Sequence, residues 1–253
     1  MSVLAAGLGL AVGLALGALG GGGSVLAVPS LVYLLGQSPH QATTASMIIV
    51  LVSSLAGLTA HARAGHVRVR DGLAFGMAGL LTSLISSAMA GGLPESVLLS
   101  GFAVVMAAAA VMMWRSGAGA PSESGERRSG ESLLVRSIAA GGLVGVLIGI
   151  FGVGGGFLAV PALVSVVGLG MAEAVGTSLL VIALNAAAAL AVRFTGSAVD
   201  WAVVLPFALS AALAAVAGQR VAHRFRAVTL QRGFAVLLLV LAVWVIVDQA
   251  VLH

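Results

Sequence analysis

The stretch Gly13–Gly36, GLALGALGGGGSVLAVPSLVYLLG, decides the fold, because the chain contains it twice. The second copy is Gly145–Gly168, GVLIGIFGVGGGFLAVPALVSVVG, and twelve of its positions are identical to the first at an offset of 132. Each copy is an apolar run, a glycine cluster, a short apolar run with an internal Val-Pro pair, and a closing glycine. The pattern predicts an internal duplication of the chain.

The composition indicates that the solvent of this chain is a lipid bilayer. Of the 253 residues, 60% are hydrophobic and only 8% are charged, whereas about 25% of the residues in soluble domains are charged. All twelve basic residues are arginines, scattered between apolar runs without interleaved aromatics, so a nucleic-acid groove is excluded. The absence of cysteine from the sequence excludes disulfides and thiolate sites.

The apolar runs predict an all-α integral membrane protein with two four-helix repeats, each with a glycine-broken first helix. Val25–Leu35 and Phe157–Val167 are too short to cross about 30 Å at 1.5 Å per residue, so we interpret them as two short half-helices. The predicted domains are an N-terminal repeat at 1–116, a polar cytoplasmic linker at 117–131 and a C-terminal repeat at 132–253. The eight main transmembrane segments are 3–19, 41–60, 72–90, 96–114, 133–151, 174–192, 201–217 and 233–247.

The arginines favour an inverted orientation of the two repeats. If both repeats had the same orientation, eight arginines would face one side of the membrane and four the other. If each repeat crosses an odd number of times, eleven share one side and Arg193 alone lies opposite. Because cytoplasmic loops carry the excess of positive charge, the second arrangement is preferred, with both termini outside.

The glycine clusters are the candidate binding elements. An unpaired backbone group in hydrocarbon costs several kcal/mol, so such a break has to lie against protein or a watery cavity. A helix that starts after a glycine loop points N–H groups and a partial positive charge at whatever precedes it. Two broken helices at matching positions indicate a transporter's binding site. Close helix packing is the alternative, and it suits the pairs Gly13/Gly17 and Gly145/Gly149.

The doubled pattern Gly-x-Gly-Gly-x-x-x-x-Val-Pro-x-Leu resembles the sulfite exporter TauE/SafE family, also called the toluenesulfonate uptake permeases. It occurs at Gly20–Leu31 and Gly152–Leu163, and Gly176-Thr177-Ser178 follows in the second half. The first half departs from the pattern, with Thr44-Ala45-Ser46 at the matching place. The resemblance covers nearly the whole chain. It implies an inner-membrane permease for a small anion, with sulfite and organosulfonates as the usual substrates.

We expect the substrate site between the repeats. Hydroxyls one turn inside the following helices and an amide in an apolar span add polar groups, with helix capping and interhelical hydrogen bonds as the alternatives. The sequence contains no carboxylate pair and no His-x-x-x-His, so neither a metal nor a cofactor is expected. The predicted lining residues are Gly20, Gly21, Gly22, Gly23, Ser24, Pro29, Ser46, Gly152, Gly154, Gly155, Gly156, Pro161, Thr177, Ser178 and Asn185.

Several alternatives stay open at this stage. An anion channel of the same fold and a non-transporting membrane scaffold both fit the composition, although the small loops leave little surface for partner proteins. Glu173 is a candidate for proton coupling, but its predicted position in a turn favours a solvated helix cap. An intramembrane serine protease is disfavoured, because every histidine is near a predicted loop and out of reach of Ser24. A homo-oligomer is compatible with the sequence.

The inverted orientation can be tested directly, because the chain offers a natural cysteine-free background. Positions 66 and 198 are equivalent at the offset of 132, so we expect impermeant thiol reagents to label the His66→Cys and Ala198→Cys variants from opposite faces of the membrane. Labelling of both variants from the same face would contradict the inverted arrangement.

Overall fold

The apolar segments form helices because an α-helix pairs its own backbone groups, which lipid cannot do. The computed structural model describes residues 2–89, 95–115, 130–151, 156–193, 199–222 and 224–252, and these ranges contain no strand. Their α-helices are α1 Ser2–Leu19, α2 Gly22–Pro29, α3 Pro39–Arg63, α4 Val69–Met89, α5 Glu95–Arg115, α6 Gly130–Phe151, α7 Gly156–Ala162, α8 Met171–Arg193, α9 Trp201–Ala222 and α10 Ala227–Leu252.

Several of these helices are long and apolar enough to cross a membrane. Within the described ranges five qualify, and three more are apolar but shorter. The all-α class is therefore confirmed, while the predicted count of eight crossings stays a prediction. The five are His40–Arg63, Ser132–Phe151, Met171–Ala191, Trp201–Ala222 and Ala227–Val247, and the shorter three are Val3–Leu19, Ser100–Arg115 and Gly156–Val167.

Each of the two short helices changes its geometry at its proline. The α-helical turn at Pro29 passes directly into a π-helical segment, Ser30–Leu34. Pro161 near the end of α7 is followed in the same way by the π-helical segment Leu163–Val167. A proline has no N–H to donate and its ring crowds the carbonyl one turn earlier, which loosens the helix at that point.

Both π-helical segments end with the same backbone turn. Gly36 and Gly168 have φ angles of +66° and +84°, a region that residues with a Cβ rarely adopt. The next N–H in each case closes the helix, from Gln37 to the carbonyl of Leu31 at 3.0 Å and from Leu169 to that of Leu163 at 2.9 Å.

One close helix contact joins the first helix to the ninth. Glycines on α1 lie directly on the backbone of α9, and a Cβ on Gly13 would overlap the carbonyl oxygen of Ala211. Because the contacting residues advance in the same direction along both helices, α1 and α9 run parallel. The pairs are Gly9 with Phe207, Gly13 with Ala211 and Gly17 with Ala215.

A second close contact joins α6 to α4 in the same geometry. A Cβ on Gly145 would overlap the carbonyl oxygen of Gly79, and again the two helices run parallel. Every residue of this contact is 132 positions from a residue of the α1–α9 contact. Close packing, the alternative interpretation of the spaced glycines, is thus confirmed for them. The pairs are Gly141 with Phe75, Gly145 with Gly79 and Gly149 with Ser83.

The helices extend beyond the spans that the sequence predicts. The loop predicted at 61–71 shrinks to 64–68, so His61 and Asp71 belong to helices and are buried. The basic stretch predicted as a loop at 218–232 is mostly the end of α9 and the start of α10. Hydropathy detects only the part of a helix in hydrocarbon, whereas arginines at the interface continue the helix beyond it.

The glycine contacts predict an unequal response to one added methyl group. Gly13→Ala should lower the thermal stability in detergent, because overpacking against the α9 backbone costs about 1–3 kcal/mol. Gly7→Ala is the matched control, since Gly7 lies on the same helix with open space around it. It should be neutral or stabilising by up to about 1 kcal/mol. Equal melting temperatures for the two variants would contradict the assigned contact.

Candidate functional site

The first glycine break is shorter than its sequence suggests. Only Gly20 and Gly21 lie between α1 and α2, whereas Gly22, Gly23 and Ser24 already belong to α2. Gly20 has a φ angle of +72°, so a glycine is needed there for the chain to turn sharply after α1. A Cβ on Gly23 would lie 2.5 Å from the Cβ of Leu16, so this glycine serves the packing of α2 on α1.

The break of the first half meets the start of α7 in the second half. A Cβ on Gly21 would overlap the carbonyl oxygen of Gly156. A Cβ on Gly156 would in turn lie 2.8 Å from the Oγ of Ser24 and 2.8 Å from Cγ1 of Ile182. Ser24 and Gly156 are equivalent at the offset of 132, so equivalent points of the two copies face each other. Gly152, Gly154 and Gly155 lie outside the described residues.

One face of α8 lies against both elements. The fully buried Ser178 is next to Gly20, where a Cβ would come within 2.5 Å of its Oγ. Ile182, one turn further along α8, touches Gly156. Asn185 follows on the same face, and its Oδ1 is buried without a hydrogen-bond partner among the described residues. This face of α8 therefore presents the Ser178 hydroxyl and the Asn185 amide on either side of the contact between Gly21 and Gly156.

Thr177 connects α8 to the loop between α3 and α4, a role that the sequence did not reveal. It is fully buried, and its Oγ1 accepts a hydrogen bond from the backbone N–H of Arg68 at 3.1 Å. Nε of Arg68 donates to Oε1 of Glu173 at 3.0 Å, and Gly176 packs on the carbonyl of His66. The Gly-Thr pair thus fastens the α3–α4 loop to the start of α8. No spacing rule could reveal this, because the partners are more than a hundred residues apart.

The remaining predicted residues have local roles. The Ser46 hydroxyl donates to the carbonyl of Thr43 at 2.8 Å, within α3, and Ser46 is buried. The Ser24 hydroxyl donates to the carbonyl of Gly21 at 2.7 Å and so steadies the break itself. Pro29 and Pro161 mark the passage into the π-helical segments. The contacts thus bring together Gly20, Gly21, Ser24, Gly156 and Ser178 out of the predicted set.

A cavity of about 120 Å³ lies beside the first break. It forms where α1, α3 and α9 end and where α8 and α10 begin, so both halves of the chain line it. Ala18 and Val175 are among its lining residues. The Cα of Val175 is also 3.4 Å from the point that a Cβ on Gly20 would occupy, so the cavity reaches the neighbourhood of Gly20.

The fold and the candidate site together are typical of one class of protein. Several helices that are long and apolar enough to cross a membrane pack with two short helices, each preceded by glycines in the sequence. The two short helices meet where Gly21 lies on Gly156. Short broken helices at matching positions of a chain are typical of secondary transporters. The model of the family described as "Sulfite exporter TauE/SafE" matches residues 5–245. The chain belongs to this family, whose members are membrane transporters and not enzymes.

Two relatives support the same assignment. A protein of Xylella fastidiosa strain 9a5c, named "Probable membrane transporter protein", is 33% identical over 247 residues, which are 96% of this chain and 94% of the relative. A protein of the same name from strain Temecula1 / ATCC 700964 is 32% identical, with the same coverage of both chains. No solved structure matches the chain. The protein is thus a multi-pass membrane transporter.

The fastening of the α3–α4 loop predicts that Thr177 matters more for stability than Glu173. Thr177→Val removes the acceptor of the Arg68 N–H at nearly unchanged volume and should cost about 1–2 kcal/mol. Glu173→Gln removes an ion pair whose side chains are 49% and 32% exposed, which should cost less than about 1 kcal/mol. Thermal unfolding in detergent measures both changes. A larger loss for Glu173→Gln would refute this ranking.

Proposed function

We propose that the chain transports a small anion across the inner membrane by alternating access at a site between its two halves. The observation that carries the proposal is the contact of the two copies, with Gly21 on Gly156 and Ser24 opposite. The expected substrate is a sulfur oxyanion such as sulfite, or an organosulfonate. The description of the matching family, a sulfite exporter, supports this substrate class.

Main-chain donors suit an anion at this depth. A buried arginine would have a high desolvation cost in the membrane. Backbone N–H groups around the first break and the start of α2 can hold an oxyanion without one. Ser178 and Asn185 add polar side chains on the adjoining face of α8. The two ends of an amide exchange by rotation, so Asn185 can offer an N–H at the buried position now held by Oδ1.

We further propose that the two repeats, at 1–116 and 132–253, are inverted copies joined by the linker at 117–131. The crossed contacts support this, since α1 packs on α9 and its equivalent α6 packs on α4, the equivalent of α9. The ends around the cavity support it too. There α3 ends and its equivalent α8 begins, as two antiparallel copies require.

The arginines support a cytoplasmic position for the side that holds the cavity. Arg63 and Arg220 lie in the last turns of α3 and α9, which both end beside the cavity. Arg232, in the second turn of α10, lies over the ring of Trp114 at 5.7 Å, which puts the end of α5 on the same side. Positive charge accumulates in cytoplasmic loops, so the substrate is expected to reach Gly20 from the cytoplasm through this side.

The crossed packing also suggests which parts move. The closest helix contacts join one half to the other, so a rocking of whole halves would break them. The short helices with their π-helical segments make fewer close contacts, and we infer that they, with the faces of α3 and α8, provide the alternation. The contact of Gly21 with Gly156 favours a carrier over an anion channel, because a pore needs an open path.

The proposal is tested by flux in reconstituted vesicles. Labelled sulfite and labelled methanesulfonate are supplied with and without a pH gradient, and a carrier coupled to protons should accumulate the anion saturably in response to the gradient. Gly21→Leu should reduce the flux at least about tenfold, because the side chain fills the contact between the copies. Gly7→Leu, on the exposed face of α1, is the matched control and should leave the flux unchanged.

Two outcomes would reject specific parts of the proposal. Normal flux in a correctly inserted Gly21→Leu variant would remove the contact of the two copies from the transport path. A channel would be favoured by a flux that rises linearly with concentration and by an internal anion concentration that never exceeds its electrochemical equilibrium value.

A further inference from the structure

The cavity beside the first break contains polar side chains that the transport proposal does not use. His61 and His66 line it, with ring centroids 6.2 Å apart, and Gln219 lines it from α9. His61 is 3% exposed and Gln219 is 8% exposed, so both are held inside the protein and not at its surface. Nε2 of His61 lies 3.0 Å from the carbonyl oxygen of Gly17, which fixes the ring at the end of α1.

The lining combines eight apolar residues with the three polar side chains of His61, His66 and Gln219. The side chains of His66 and Gln219 carry N–H groups, whereas Nε2 of His61 is directed at the carbonyl oxygen of Gly17. None of the described residues that line the cavity carries a carboxylate. The nearest acid in sequence to a lining residue is Glu173, and it is already paired with Arg68. A negative solute would therefore find donors in this cavity without meeting an unpaired acid.

The charges around the cavity act in the same direction. Arg63, Arg220, Arg224 and Arg226 each lie within two residues of a lining residue. The ends of α1, α3 and α9 bring negative partial charge, which the His61 ring on the Gly17 carbonyl, Arg63 and Arg220 offset, while the starts of α8 and α10 bring positive partial charge. A concave site between low-dielectric walls concentrates such a field and raises the local concentration of the opposite charge.

We propose that this cavity is a second anion-binding site, separate from the contact of the glycine breaks, for a small oxyanion or a short organosulfonate. The volume of about 120 Å³ has room for several water molecules, each of which needs about 10–15 Å³, and therefore for such an anion. The apolar side chains of Met171, Phe225 and Leu230 on its wall suit the hydrocarbon part of a sulfonate.

The position of the cavity gives the second site a role. Ala18 and Val175 connect it to Gly20, so an anion held here waits at the cytoplasmic approach to the breaks. This role rests on the proposed transport function, whereas the anion selectivity of the cavity does not. Because residues of both halves line the cavity, any shift of α8 against α3 would alter its shape and so couple its occupancy to alternation.

The test uses the natural absence of cysteine. In the protein in lipid nanodiscs, Ala222→Cys places a thiol in the cavity lining, and Ala64→Cys places one on the exposed loop next to Arg63. Each variant reacts with an anionic, sulfonate-bearing methanethiosulfonate and with a cationic, trimethylammonium-bearing one. Rates are normalised to those of a free thiol. We expect the anionic-to-cationic ratio at position 222 to exceed that at position 64 about tenfold.

Two further experiments distinguish binding in the cavity from the general positive charge on this side of the protein. Methanesulfonate is the probe ion and should slow a neutral methanethiosulfonate reagent saturably at position 222 but not at position 64. Gln219→Met replaces the amide by an apolar group of similar shape and should weaken the protection at position 222 several-fold. Gln41→Met, at the start of α3 and away from the cavity, is the matched control and should not.

Equal charge ratios at positions 222 and 64, or no protection by methanesulfonate, would overturn the proposal. These outcomes are independent of the flux experiment. Normal flux in the Gly21→Leu variant removes the transport role of the breaks and leaves the labelling ratios as they are. Equal labelling ratios remove the second site and leave the flux result as it is.

Discussion

The structure depends on the close approach of helix backbones at two glycine faces. Inside a bilayer there is no water to satisfy an exposed backbone group and little hydrophobic force between helices, so packing has to come from close contact. Three glycines of α1 on α9, and three of α6 on α4, provide that contact. These pairings cross between the halves, and they bring the break after α1 and the start of α7 to the same place. The candidate site is a consequence of this packing, since its residues come from both parts of the chain.

The packing of α1 on α9 and of α6 on α4 also explains why the cavity beside the first break and the contact of Gly21 with Gly156 have different chemistry. At the contact of Gly21 with Gly156, both partners are backbone, and side chains enter only from the adjoining face of α8. At the cavity, where α3 ends and α8 begins, no two of the lining residues are 132 positions apart. Two histidines and a glutamine thus line the cavity, and none of them has a lining residue 132 positions away.

The sequence predicted the elements well and their ends poorly. The long apolar helices, the short helices after the glycines and the prolines inside those short helices follow from hydropathy and backbone chemistry. His61 was expected at a loop edge near the interface, yet it is buried in the last turn of α3, because the helix continues beyond the hydrocarbon that hydropathy detects. The hydrogen bond that Thr177 accepts comes from Arg68, more than a hundred residues away, and no local pattern contains it. Gly20 and Ser178 were predicted separately, and only the packing of α8 joins them.

The parallel pairing of α1 with α9 has a consequence for the order in which the protein is assembled. The first helix ends at Leu19, but its partner begins only at Trp201. At about 5–20 residues per second, translation separates the two by roughly ten to forty seconds. During this interval the glycine face of α1 has only lipid or the helices made before α9 beside it, whereas α4 meets α6 much sooner. The newly made protein therefore forms the α4–α6 contact first and the α1–α9 contact last. The N-terminal part of the chain reaches its final packing only after α9 has been made.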